Sequence, residues 1–243
     1  MEIKKQHSNA GGQDLHYLQV GSGPPLVLLH GLFGHHFCWR LNLQALAARH
    51  TVLAIDIPGF GESMAPPELD CGMRAQVSRL SSWMEQLGLP SIDLVASSWG
   101  GGIALLLAAR SQKVRSLVVA APVNPWSNFG RERVRLGSGR VGSVLLRLGL
   151  PFSRPVHRIA LERLYGNPGR IPEGTLEGYS QMLLQPGRAD HLLSTMRCWE
   201  RDLEAVSAAV ERVHLGPLER YGEVISGAFI AAVGLVFLVW LQW

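Results

Sequence analysis

From residue 15 to residue 121, short apolar runs alternate with stretches of helical spacing, and few folds accommodate that pattern. Residues 15–20 alternate apolar and polar as a strand does. Residues 25–30 (Pro-Leu-Val-Leu-Leu-His) form an unbroken apolar run, which predicts a strand covered on both faces, and 51–55 is another. Residues 38–48 have helical spacing. Residues 73–87 repeat apolar side chains at three- and four-residue steps (Val77, Leu80, Met84, Leu87), with Gly88 placed where a helix would end. Residues 92–96 and 117–121 read as further buried strands around a small-residue helix at 103–109. Strands separated by helices need crossover connections, so residues 1–121 are expected to form an α/β core with a mainly parallel sheet.

Composition narrows the classes further. With 47% hydrophobic and 17% charged residues among 243, the chain buries too much apolar surface to be disordered. Cys38, Cys71 and Cys198 are odd in number and form no CxxC pair, which argues against a disulfide framework or a thiolate metal site. No metal or cofactor is expected. The first residues carry no apolar run of signal-peptide length. The net charge of +4 is uneven: residues 131–170 hold nine arginines against Glu132 and Glu162. A solvated basic face is expected, the alternative being a surface that meets anionic lipid or an acidic substrate; no helix-turn-helix, zinc or RNA-binding signature accompanies the charge, so nucleic acid is not an expected partner.

Three segments carry the candidate chemistry, each directly after a strand. The first is Ala96-Ser97-Ser98-Trp99-Gly100, a small-x-Ser-x-Gly sequence between a strand and a helix. So tight a turn needs small residues two before and two after the central position, and it forces that residue into a strained conformation with its hydroxyl exposed. Ser97 would place Trp99 where only a small residue fits, which leaves Ser98. The second is His30-Gly31-Leu32-Phe33-Gly34, whose Leu32 amide, with the Trp99 amide, could hold a developing oxyanion. His30 is expected to brace this turn by hydrogen bonding rather than to move protons. The third is Asp56-Ile57-Pro58-Gly59-Phe60-Gly61-Glu62-Ser63, a rigid turn in which Asp56 and Ser63 satisfy backbone amides.

These three motifs, in this order and spacing, resemble those of the alpha/beta-hydrolase superfamily over about residues 12–200. The resemblance implies Ser98 as nucleophile, Leu32 and Trp99 as oxyanion donors, and residues 122–195 as a helical cap over the pocket. It also implies cofactor-free hydrolysis of an ester, thioester or amide bond. Phe33, Phe37, Trp99 and Trp126 either line a pocket for a small apolar acyl or aromatic substrate or belong to the core. In such a protein the acid and then the base follow the nucleophile in chain order, each after a further strand. Residues 196–243 show no strand followed by an acid or by Gly-His, so the acid is unassigned and the last strand–helix units are read as lacking. Asn124 stands after the strand at 117–121, and His191 and His214 are the base candidates. Without an acid–His pair, the alternative is a catalytically silent binding module.

The C-terminal stretch has a character of its own. Residues 196–222 are expected to be a connecting helix and linker. Residues 224–243 contain no charge, and a 20-residue helix covers about 30 Å, the thickness of a hydrocarbon core. Residues 223–243 are therefore expected to form an apolar transmembrane helix, with Arg212 and Arg220 before it placing the rest of the chain in the cytoplasm. A buried helix in a cytoplasmic protein is the alternative.

Overall fold

The computed structural model describes residues 1–127, 130–213 and 236–240. Seven strands form one mixed sheet: β1 (Lys4–Ala10), β2 (Gln13–Val20), β3 (Pro25–Leu29), β4 (Thr51–Ile55), β5 (Ile92–Ser97), β6 (Val114–Ala120) and β7 (Val236–Trp240). Their spatial order is β1-β2-β4-β3-β5-β6-β7. The four central strands β4, β3, β5 and β6 run parallel, whereas β1, β2 and β7 pair antiparallel at the two sides. The expected parallel centre is present, and each connection between its strands carries helix.

The unbroken apolar runs are explained by burial on both faces. In β3 and β4, Val27, Leu29, Leu53 and Ile55 join one core cluster, and Leu26, Leu28, Val52 and Ala54 join the other. The first cluster is closed by α2 (Met73–Gln86), α3 (Ser98–Ala108) and α8 (Arg188–Val210) through side chains such as Trp83, Ile103 and Val206. The second is closed by α1 (Leu43–Ala47) through Leu43 and Ala47. The helix expected over 38–48 is two short pieces instead, a 3-10 turn His36–Trp39 and α1, separated at Arg40–Asn42. For α2 the expectation holds to within a residue, and Gly88 has the positive φ of 63° that glycine tolerates after a helix.

Strand β1 was not expected. Its sequence, Lys-Lys-Gln-His-Ser-Asn-Ala, has no apolar alternation, because it lies at the sheet edge with most of its side chains in water. Residues 131–183 hold four helices: α4 (Arg131–Ser138), α5 (Arg140–Gly149), α6 (Arg154–Tyr165) and α7 (Thr175–Leu183). Helix α8 runs unbroken through residue 195, where a boundary was expected.

The expected apolar helix over 223–243 is not what the described part of that stretch forms. Residues 236–240, Val-Phe-Leu-Val-Trp, are strand β7 beside β6. Branched and aromatic residues favour strand, and an open sheet edge offers the backbone partners a strand needs. The rest of that stretch lies outside the described residues. Among the described residues, no helix is long and apolar enough to cross a membrane.

Candidate active site

The site is built where β3, β4 and β5 end. Strand β5 passes into α3 without a loop: Ser97 is extended (φ −125°, ψ 147°), and Ser98, the first helical residue, has φ 50°. A positive φ on a serine is a strained conformation, and here close packing imposes it. A Cβ on Gly100 would fall inside the van der Waals shell of the His30 carbonyl oxygen, so only glycine lets α3 start this close to β3. Ala96 is fully buried beneath the turn. Gly31 lies against the same point, since a Cβ there would sit 3.0 Å from Ser98 Cβ. The expected small-residue requirement at 96 and 100 has its physical cause in these contacts.

His30 is buried and doubly engaged. Its Nδ1 donates to the Gly31 carbonyl (2.8 Å) and its Nε2 accepts from the Ile57 amide (3.0 Å). Burial pushes its pKa down to about 4, against the opposing charge of Asp56, so it is a neutral brace at neutral pH. That is the bracing role expected from sequence.

Asp56 is fully buried and collects hydrogen bonds from three segments. It accepts from His16 Nδ1 (2.9 Å), from the His36 amide (2.6 Å) and Nδ1 (2.9 Å), and from the Glu62 amide (2.8 Å). Burial alone would raise its pKa, but the bonds from His16 and His36 hold the carboxyl well below the usual range. Ser63 Oγ donates to the Asp56 carbonyl (2.6 Å) and accepts from the His16 amide (2.8 Å). Gly61, at φ 55°, is pressed against the Asp56 carboxylate, which leaves no room for a side chain there. The structural role expected for Asp56 and Ser63 is what the geometry displays.

The remaining candidates fall elsewhere. His191 is buried, and its Nε2 hydrogen-bonds the Pro66 carbonyl (2.9 Å), bracing that loop. His214 lies outside the described residues. Asn124 turns its Oδ1 onto the amides of Trp126 and Ser127, closing its own turn. Among the described residues, no imidazole is hydrogen-bonded to Ser98. Of the two readings left open for Trp99, core is the one the structure bears out: its indole is fully buried and packs against Phe60 at 5.3 Å between ring centroids. A side chain one step beyond the elbow here turns into the core. Trp126 is 68% exposed, and Phe37 stacks on His35 and meets Tyr179 edge-on.

Sequence reasoning missed Arg188. Its guanidinium is buried, donating to the carbonyls of Gly59 and Gly61 (2.8 Å to the latter) while Nε donates to Met182 (3.0 Å). Burial lowers its pKa to about 10, partly offset by Asp56, so it stays charged. It was masked by the many other arginines of this region.

A parallel-centred sheet with a strained serine at the β5–α3 junction, beneath a His-Gly turn, is the alpha/beta-hydrolase fold, and the chain has that fold. Residues 24–143 match the family model described as the alpha/beta hydrolase fold. A stretch of 112 residues is 37% identical to mouse bifunctional epoxide hydrolase 2, covering 44% of this chain and 20% of that protein. Haloalkane dehalogenase from Mycolicibacterium paratuberculosis is 35% identical over 147 residues, 54% of this chain and 49% of that one. The chain thus spans from about a fifth to a half of the curated relatives it matches. Among solved structures, epoxide hydrolase CorEH superposes with TM-score 0.75 at 23% identity, covering 85% of this chain and 77% of the other. Haloalkane dehalogenase DbeA from Bradyrhizobium elkani gives 0.70 at 23% identity, covering 87% and 77%. At that identity the likeness concerns the fold.

Proposed function

We propose that the chain is a serine hydrolase of this fold, with Ser98 as nucleophile and the amides of Leu32 and Trp99 as the oxyanion hole, acting on an ester, thioester or amide. The observation that carries the reading is Ser98 at φ 50° where β5 meets α3, with Gly31 packed against it. Trp99 is the second residue of α3, and the first amides of a helix have no partner within it. Such an amide is free to donate to an oxygen that gains negative charge. In the acylation step, Ser98 Oγ bonds to the carbonyl carbon and its proton passes to a base. The carbonyl electron pair moves onto oxygen, held by the two amides, and returns as the leaving group departs with a proton. Water then repeats the sequence on the acyl-enzyme.

The names of the relatives, epoxide hydrolase and haloalkane dehalogenase, support a small apolar substrate. A base is still required, and His214 is the histidine outside the described residues. One observation favours a second reading, a ligand-binding module without turnover: no described imidazole is bonded to Ser98. A fluorophosphonate probe separates the two. Labelling of the intact protein that disappears in Ser98→Ala supports the hydrolase, whereas folded protein that takes up no probe leaves the binding module.

A further inference from the structure

Asp56 does more than close a turn, because it sets the tautomer of two histidines. The Asp56 carboxylate oxygen Oδ2 lies 2.9 Å from Nδ1 of both His16 and His36. An ionised carboxylate only accepts, so each ring places a hydrogen on Nδ1, and in the neutral ring Nε2 is the nitrogen left with a lone pair to offer. His16 is fully buried, and its Nε2 has no hydrogen-bond partner. A buried ring nitrogen left without a partner costs free energy and calls for an explanation. Facing it, 3.8 Å away, is Glu62 Oε2. A ring nitrogen each from His16 and His36 and a carboxylate oxygen of Glu62 all lie within 4.8 Å of one another.

We propose that His16, His36 and Glu62 form a binding site for one divalent transition-metal ion of the zinc class, with water completing the coordination. Two neutral imidazoles and a carboxylate are a donor set that such ions favour over calcium or magnesium. Metal-bound histidines usually donate their other ring hydrogen to a carboxylate, and Asp56 supplies that partner to both rings. With ligand bonds of about 2.0–2.2 Å, tetrahedral ligand atoms stand roughly 3.4 Å apart. The 3.8 Å between His16 and Glu62 is close to that spacing.

Two neighbours bear on occupancy. The Lys5 ammonium sits on both Glu62 oxygens (2.9 and 3.1 Å) and would have to leave, which its mostly exposed side chain permits. His7, opposite His16 in the β1–β2 register, is held by Asp14 at 3.0 Å and is not needed as a ligand. The other trio in this region, His35, His36 and Asp56, is a poorer site. Asp56 is already filled by its four donors, and His35 Nε2 is engaged with the Gly178 carbonyl (3.0 Å). An ion held by His16, His36 and Glu62 would fasten β2 to the segment after β3 and to the loop after β4.

The test is titration of the full chain, freed of metal by chelator, with zinc chloride in a calorimeter and with cobalt(II) followed by visible absorption. The expected result is one ion per chain at micromolar free zinc and a cobalt spectrum of low coordination number. Glu62→Gln should weaken binding by about tenfold or more, as loss of a ligand does. Lys5→Ala removes the competing ammonium and should tighten it. Both positions are near the surface, so both variants are expected to fold. Absence of stoichiometric uptake, or affinity unchanged in both variants, overturns the proposal.

Discussion

The loops at the ends of β3, β4 and β5 and the helices α4–α6 are built by opposite means. In the loops, Asp56, His30 and Ser63 are buried, and each is matched to named partners in other segments. In α4–α6 and the turn joining α5 to α6, large apolar side chains face outward: Leu136, Leu145, Leu148, Phe152 and Leu164 are each more than 60% exposed. These helices are attached through few buried groups. The difference teaches where each property of a site resides. The placement of Ser98 is set by backbone contacts that admit one residue type, whereas α4–α6 can change their exposed side chains at little cost to the fold.

Four substitutions would break or sharpen that contrast. Asp56→Ala should be the most damaging, because it strands the buried donors of His16, His36 and Glu62. A loss of about 4 kcal/mol or more is expected in denaturant unfolding. Gly100→Ala comes next, since the added carbon meets the His30 carbonyl and one of the two backbones must move. Its expected cost is roughly 3 kcal/mol, and fluorophosphonate labelling at Ser98 should fall with it. A cost under half of that would mean that the elbow is looser than its contacts indicate.

Asp202 belongs to neither region and stands in the second half of α8. It accepts from the Met73 amide (2.9 Å), and burial raises its pKa to about 6. A carboxyl whose pKa is higher folded than unfolded favours the native state while protonated. Its contribution is therefore fully present below about pH 4 and is lost as pH rises through about 6. Asp202→Asn keeps an acceptor for Met73 without the charge. It should gain at most about 2 kcal/mol over the parent at pH 7.5, with the gain vanishing at pH 4; thermal melts at both pH values decide it. Leu148→Ser, at a position 67% exposed, should change stability by less than about 0.5 kcal/mol. A larger loss in unfolding would show that the outer face of α5 is not equivalent to ordinary surface.

The sequence made some of these features legible and hid others for physical reasons. The elbow, the His-Gly turn and the Asp56–Ser63 loop could be read because local sterics dictate their residues: Gly100 has no alternative, and neither has Gly61. The buried strands β3 and β4 could be read because burial on both faces leaves an unbroken apolar run. Strand β1 could not, since its side chains see water and its pairing partner alone makes it a strand. The meeting of His16, His36 and Glu62 was equally hidden. It depends on β4 lying between β2 and β3 in the sheet, and no spacing along the chain encodes that order. The sequence left Trp99 open between pocket and core because a residue beside the elbow can face either way, and packing against Phe60 decides it.

Helix α8 spans 23 residues, roughly 35 Å of continuous rod. Near its first turn Arg188 is bolted to the loop after β4, and further along Asp202 is bolted to the head of α2. A strut pinned at two points cannot pivot about either one. The loop after β4 and the head of α2 are thereby held at a fixed separation by one rigid element.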